Sequence, residues 1–186
     1  MKRAFLIAGL MAAFALATLA ASAVAANFAG TWVLDKTKSQ GLSTRMSGAD
    51  KVSWIITQDD KTISIESKVE GGQPPAGGGG GTGGGAGGGG PRPTGPSSYT
   101  LDGKEATSDQ TFGQMTGKLT TKATWAGNDL ELLRKTSFTG QDGTERVSTN
   151  TQKLSLSADG KVLTAVVHSE GGRGGPTDST LVFNKQ

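Results

Sequence analysis

The chain has one histidine, His168, and no cysteine, and these two facts limit the chemistry it can carry. A zinc site of the usual His/Cys type is excluded, because it needs three or four such ligands. A lone imidazole near the end of a strand-like run reads as an exposed or structural side chain rather than a catalytic base. Serines are plentiful, but no Gly-x-Ser-x-Gly elbow raises one as a nucleophile. The carboxylates of Asp59-Asp60 suit a cation or an acid/base pair by type. They lie between two strand-like runs, where aspartate does turn chemistry instead. The glycine tract contains Gly-x-Gly-x-x-Gly trivially, lacks the Gly-Lys-Ser/Thr end of a phosphate loop and opens no helix. Gly171-Gly-Arg-Gly-Gly175 is a single Arg-Gly-Gly element and reads as a polar loop. These residues point to a non-enzymatic protein with no cofactor and no resident metal, and leave non-covalent binding as the chemistry to look for.

Charge narrows the partners. Lys2 and Arg3 precede an Ala/Leu/Phe-rich run from Ala4 to about Ala21, followed by small residues that allow cleavage after Ala23, Ala25 or Ala26. These are the three parts of a secretory leader. We read residues 1–26 as a signal peptide and expect a periplasmic or secreted protein, with no integral membrane span after cleavage. Removing Lys2 and Arg3 from 19 basic residues leaves 17 against 16 acidic ones, so the mature chain has no global charge that favours nucleic acid. Export without cysteine also fits a bacterial envelope better than a disulfide-stapled extracellular domain.

The elements that would position a site are strands. Val52, Trp54 and Ile56 alternate with Ser53, Ile55 and Thr57, and Ile63 and Ile65 follow the aspartate turn. Ser97–Leu101, Asp102-Gly103 and Lys104–Thr107 read as a hairpin. Further alternation runs through Leu119–Trp125, Leu130–Phe138, a Thr/Ser/Val strand to Leu156, Lys161–His168 and Thr180–Phe183. This predicts an all-β domain over 27–186, an up-and-down antiparallel meander of about eight to ten strands that closes into a barrel. Residues 71–96 hold half of the 30 glycines and all but one of the six prolines, and are expected to form a disordered loop.

In such a meander alternate connections share an end. The tight turns at 59–60, 102–103, 127–128 and 159–160 fall at one end, and the connections 36–50, 71–96, 109–116, 139–143 and 170–176 at the other. The loop end is the expected mouth. Gly30, Trp32, Trp125, Leu130, Leu132, Leu154 and Leu156 then form an apolar floor at the turn end. Arg134, Arg146, Asn150 and His168 lie toward the mouth as candidate ligand-binding residues, suited to a small apolar or amphipathic molecule. An outward reading of Arg134 and Arg146 stays open, because Leu133 and Val147 occupy the opposite faces of their strands.

The stretch Phe28-Ala-Gly-Thr-Trp-Val-Leu-Asp35, with Lys38-Ser39 after it, resembles the lipocalin-like proteins exported by many bacteria. Tyr99-Thr-Leu-Asp-Gly-Lys104, Ala123-Thr-Trp-Ala-Gly127 and Leu154-Ser-Leu-Ser-Ala-Asp-Gly-Lys161 extend the resemblance over nearly the whole mature chain. It implies a tryptophan, here Trp32, packed across the closed end of the barrel. It also implies a basic residue on a late strand against that ring, for which Lys185 is the candidate. The family's helix after the barrel has no counterpart before Gln186. Two further roles are weighed: an envelope-associated interaction scaffold that uses 71–96 to reach a partner, and an outer-membrane barrel, which needs aromatic girdles and an apolar outer band.

Overall fold

The computed structural model describes residues 25–71, 95–112, 115–140, 143–171 and 175–186. The leader expected over 1–26 and the loop expected over 71–96 fall almost wholly outside the described residues. Ten strands carry the fold: β1 (Gly30–Leu34), β2 (Lys51–Gln58), β3 (Thr62–Glu70), β4 (Ser97–Thr100), β5 (Ala106–Phe112), β6 (Met115–Ala126), β7 (Asp129–Thr139), β8 (Glu145–Leu156), β9 (Val162–Glu170) and β10 (Thr177–Lys185). All pair antiparallel in the order β4-β3-β2-β1-β10-β9-β8-β7-β6-β5, which makes a nearly closed barrel. The first and last strands close it, with Trp32 opposite Lys185 and Leu34 opposite Phe183.

The remaining seam lies between β4 and β5. These strands follow one another in sequence but are not paired, so the hairpin expected around Asp102-Gly103 is not formed. A turn is present there, with Gly103 at φ +74°, but its flanking strands diverge. β4 pairs with the turn-end half of β3, from Thr62 to Ile65, and packs against β6. β5 pairs with the mouth half of β6, Ala106 opposite Thr121 and Phe112 opposite Met115. The expected loop 109–116 is therefore mostly strand, and its connection is as short as the turns at the other end.

Side-chain alternation fills the interior from the turn end. Trp32, Phe28, Ile56, Ile63, Leu130, Leu132, Leu154, Leu163, Leu181 and Phe183 are fully buried in one core cluster. The Trp54 and Phe183 rings meet at 4.4 Å between centroids. Phe28, just before β1, stacks on Trp125 at 6.1 Å and accepts at its carbonyl from Trp32 Nε1 at 2.8 Å. Its backbone N–H donates to Gln58 Oε1, while Gln58 Nε2 donates to the Ala26 carbonyl, so residues 26–29 fold across the turn end as a plug. Leu156 and Trp125 are only partly buried and pack at the margin of this cluster. The tight turns are held by aspartates: the Asp59 carboxylate accepts from the N–H groups of Lys61 and Thr62, and Asp159 accepts from Lys161.

At the mouth, one short helix α1 (Thr44–Gly48) starts at Ser43, whose hydroxyl accepts from Met46 N. Met46 and Ala49 reach the core, so the connection 36–50 covers the mouth above β1 and β2. On the outer wall, the exposed large apolar side chains among the described residues are Val147 and Val166. Two isolated valines do not make the apolar band of an outer-membrane barrel. No helix among the described residues is long and apolar enough to cross a membrane.

Candidate functional site

The strand registers stack the inner-face residues of β6 to β9 in rows. Trp125, Leu130, Leu154 and Ala165 form one row near the turn end, and Ala123, Leu132, Gln152 and Val167 form the next. Above these lies a polar row, Thr121 opposite Arg134, Arg134 opposite Asn150, and Asn150 opposite Ser169. Nearer the mouth come Leu119, Thr136 and Ser148, and at the rim Gly117, Phe138 and Arg146.

Burial changes at the polar row. Below it Leu130, Leu132, Leu154 and Ala165 are 0% exposed, while Leu119, Thr136 and Ser148 above it are partly exposed and Arg146 at the rim is exposed. Exposure of the inner face therefore falls off across the Arg134 row, with Gln152 just below it still half-buried and Leu132, Ala123 and Val167 beside Gln152 buried. We call this inner face a bowl, because partly exposed residues stand above a polar row that itself lies over a buried apolar core.

The base is tied together. Asn150 Nδ2 donates to Ser169 Oγ at 2.7 Å, and Gln152 Nε2 donates to Asn150 Oδ1 at 2.8 Å. Tyr99 of β4 closes the base from the seam side and is buried. Burial pushes its hydroxyl above the usual 10, against the opposing influence of the Arg134 charge and a hydrogen bond with Ser97. Arg134 Nε is buried without a hydrogen-bond partner among the described residues. An orphaned donor of this kind is uncommon in a native fold.

Arg134, Asn150 and Arg146 share the inner face with Leu130 and Leu154 on consecutive alternate positions. His168 does not. Val167 and Ser169 are buried inward, so His168 between them projects from the outer wall. There Nδ1 lies 2.6 Å from Asp178 Oδ1 and Nε2 lies 3.0 Å from Glu170 Oε1. Only an imidazolium can donate at both nitrogens, and the Glu170 and Asp178 carboxylates raise its pKa above 6.5. β9 carries apolar residues on both faces, Leu163, Ala165 and Val167 against Val162 and Val166, so alternation could not place His168. The register with Leu156 and Phe183 places Leu163 inward and decides the matter.

No family model, no curated protein and no solved structure matches the chain. The functional reading therefore rests on this chain's own geometry. Thr121, Gln152 and Ser169 join the base without having stood out in the sequence, because a buried serine, threonine or glutamine reads like any other strand residue, and Tyr99 stood out there only as part of the resemblance. Among the described residues no group of three His, Cys, Asp or Glu side chains is placed to hold a metal ion. Among the described residues, the bowl offers hydrogen-bond donors and a guanidinium. An open depression of about 310 Å³ lies at the mouth end of β5 to β8, lined by the rim residues Gly117 and Phe138 together with the outward-facing Asp109, Lys118, Ser137 and Glu145.

Proposed function

We propose that this protein is an exported, non-catalytic barrel that binds a small, partly apolar molecule in the bowl at its loop end. The observation that carries the reading is the burial step at Arg134, which leaves a solvent-reached inner face of mixed character above a solid core. Leu119 and Val69, both partly exposed, supply apolar wall. Thr136, Ser148 and Asn150 supply hydrogen-bonding groups, the composition expected of a small-molecule site. The charged start, apolar run and small-residue cleavage sites of the first 26 residues support export. The Gly30-Thr31-Trp32 strand supports kinship with the exported lipocalin-like proteins.

Native mass spectrometry of the exported protein tests the reading. A bound small molecule is expected on the wild-type chain and is expected to be absent from Ser148→Trp, which fills the bowl while leaving the core untouched. An adduct that persists in Ser148→Trp places the ligand elsewhere, and a wild-type chain that takes up no small molecule argues for a scaffold role.

A further inference from the structure

We propose that the bowl selects a monoanion, most simply a short monocarboxylate, which enters charged end first and docks on Arg134. The inference rests on the bowl being a binding site and adds the class of its ligand.

The first support is the sorting of charge between the two faces of the wall. On the mouth half of the inner face, the ionised side chains of the described strands are Arg134 and Arg146. The strand carboxylates Glu66, Glu70, Asp109, Asp129, Glu131, Glu145, Glu170 and Asp178 all occupy outward positions of the same registers. The lysines of β2, β3 and β6 to β8 stand outward as well, so the charge set into the base of the bowl is that of Arg134, with no strand carboxylate on its face. In a concave site over a low-dielectric core this arrangement focuses a positive potential.

The second support is the state of Arg134 itself. Its row offers it the side chains of Thr121 and Asn150, and Tyr99 lies near. Asn150 already donates to Ser169 and accepts from Gln152. No carboxylate shares the row, and Nε is left without a partner. A guanidinium set into a protein wall without a counter-ion is costly, and its fork of donors matches a carboxylate. Arg134 is half-buried rather than enclosed, and an anion arriving from the mouth supplies the counter-charge that its row omits.

The vertical order of the bowl sets the orientation and the size. Polar groups form the base, and Leu119 and Phe138 stand above them toward the rim. An amphipathic guest therefore has its head down and its apolar body toward the mouth. Four residues separate Arg134 from Phe138 along β7, about 13 Å at strand rise, which suits a short chain or a single ring rather than a long acyl tail.

The test compares octanoate with 1-octanol on the exported full-length mature chain, by calorimetry and by amide shifts at Asn150 and Ser169. Octanoate is expected to bind roughly tenfold or more tightly than octanol, the difference one charge-assisted contact makes, and to weaken with added salt. Arg134→Gln is expected to remove that preference, bringing the octanoate-to-octanol ratio to about one, and Arg134→Lys to retain part of it. Equal affinities for octanoate and octanol overturn the anion proposal and leave the bowl as a neutral site. If neither probe binds or shifts these amides, both the proposal and the reading beneath it fail. Should Arg134→Gln not fold, the octanoate-to-octanol ratio and its salt dependence in the wild-type chain still decide the question.

Discussion

Lys185 Nζ lies 5.1 Å from the centroid of the Trp32 ring, directly across the pairing that joins the last strand to the first. Gly30 permits the contact: its φ is +142°, and a Cβ there would come within 3.0 Å of Lys185 Cε. The glycine and tryptophan of the opening strand thus act together, one clearing the path of the lysine stem and the other receiving its charge. Trp32→Ala is expected to lose about 3–5 kcal/mol, the cost of emptying a buried aromatic site. Lys185→Met keeps the stem and is expected to lose only about 0.5–1 kcal/mol, the worth of an exposed cation–π contact. Urea unfolding measures both, and an equal loss in the two variants would show that charge, not packing, dominates the turn end.

The plug formed by residues 26–29 makes a prediction about processing. The Ala26 carbonyl is held by Gln58 and Ala26 packs against the core, so the fold uses this residue. If the leader is removed on export as proposed, cleavage is expected after Ala23 or Ala25 rather than after Ala26, leaving Ala26 on the mature chain, and the intact mass of the mature protein reads this directly. Phe28→Ala should destabilise by about 3–5 kcal/mol. A mature chain starting at Asn27 with full stability would remove the plug from the account.

His168 gives a titration that can be followed without ambiguity, because it is the only histidine. Its folded pKa is raised by Glu170 and Asp178, so the folded state holds the proton more tightly than the unfolded chain. The stabilisation is fully present below the ordinary value of 6.5 and disappears as pH rises through the folded pKa. His168→Gln is expected to flatten stability across that window. An imidazole NMR titration with a midpoint at or below 6.5 would refute the double carboxylate contact in solution.

Asp35 behaves in the opposite sense. Hydrogen bonds from Thr37 and Lys38 hold its carboxyl far below the usual range, so its contribution is present above the unfolded pKa and is lost as pH falls toward the folded one. Asp35→Asn is expected to reduce the acid sensitivity of the connection 36–50, read as amide exchange at Ser39 and Gln40 between pH 5 and pH 3, a window bracketing the ordinary aspartate range of about 3.9.

Arg134 sets function against stability. Arg134→Met replaces an incompletely satisfied charge with an apolar stem of similar reach, and replacements of this kind are neutral or stabilising by about 1–4 kcal/mol. Thermal unfolding is expected to show an unchanged or higher Tm in this variant. A large destabilisation would mean that Arg134 is a structural residue whose partners are already complete.

How much of this was legible in the sequence depended on which half of the barrel a residue occupies. Leu130, Leu132 and Leu154 face a dry core and alternate with Glu131 and Lys153, but Leu133 and Val147 are apolar on the opposite faces, so the side of Arg134 stayed open in the sequence and is fixed by the pairing of β7 with β6 and β8. β5 could not be read as a strand. Its inward residues Ser108 and Gln110 belong to the mouth half and need not be apolar, which leaves Thr107–Thr111 with no alternation to detect. Phe28 lies outside any strand, so periodicity says nothing of it, although it is fully buried. The turn at Asp102-Gly103 shows the limit of local chemistry: it bends the chain, but whether its flanks pair is decided by β3 and β6.

The covalent chain is interrupted where the hydrogen-bond ladder is continuous, between β10 and β1, and the ladder is interrupted where the chain is continuous, between β4 and β5. Gln186 N–H donates to the Thr31 carbonyl, so the end of β10 lies beside the start of β1. A circular permutant with Gln186 joined to Ala26 by a short linker, and new ends between Asp102 and Gly103, should keep every strand pairing. Because closure of β1 on β10 then becomes a local event instead of one spanning the whole chain, the permutant should fold faster than the natural order.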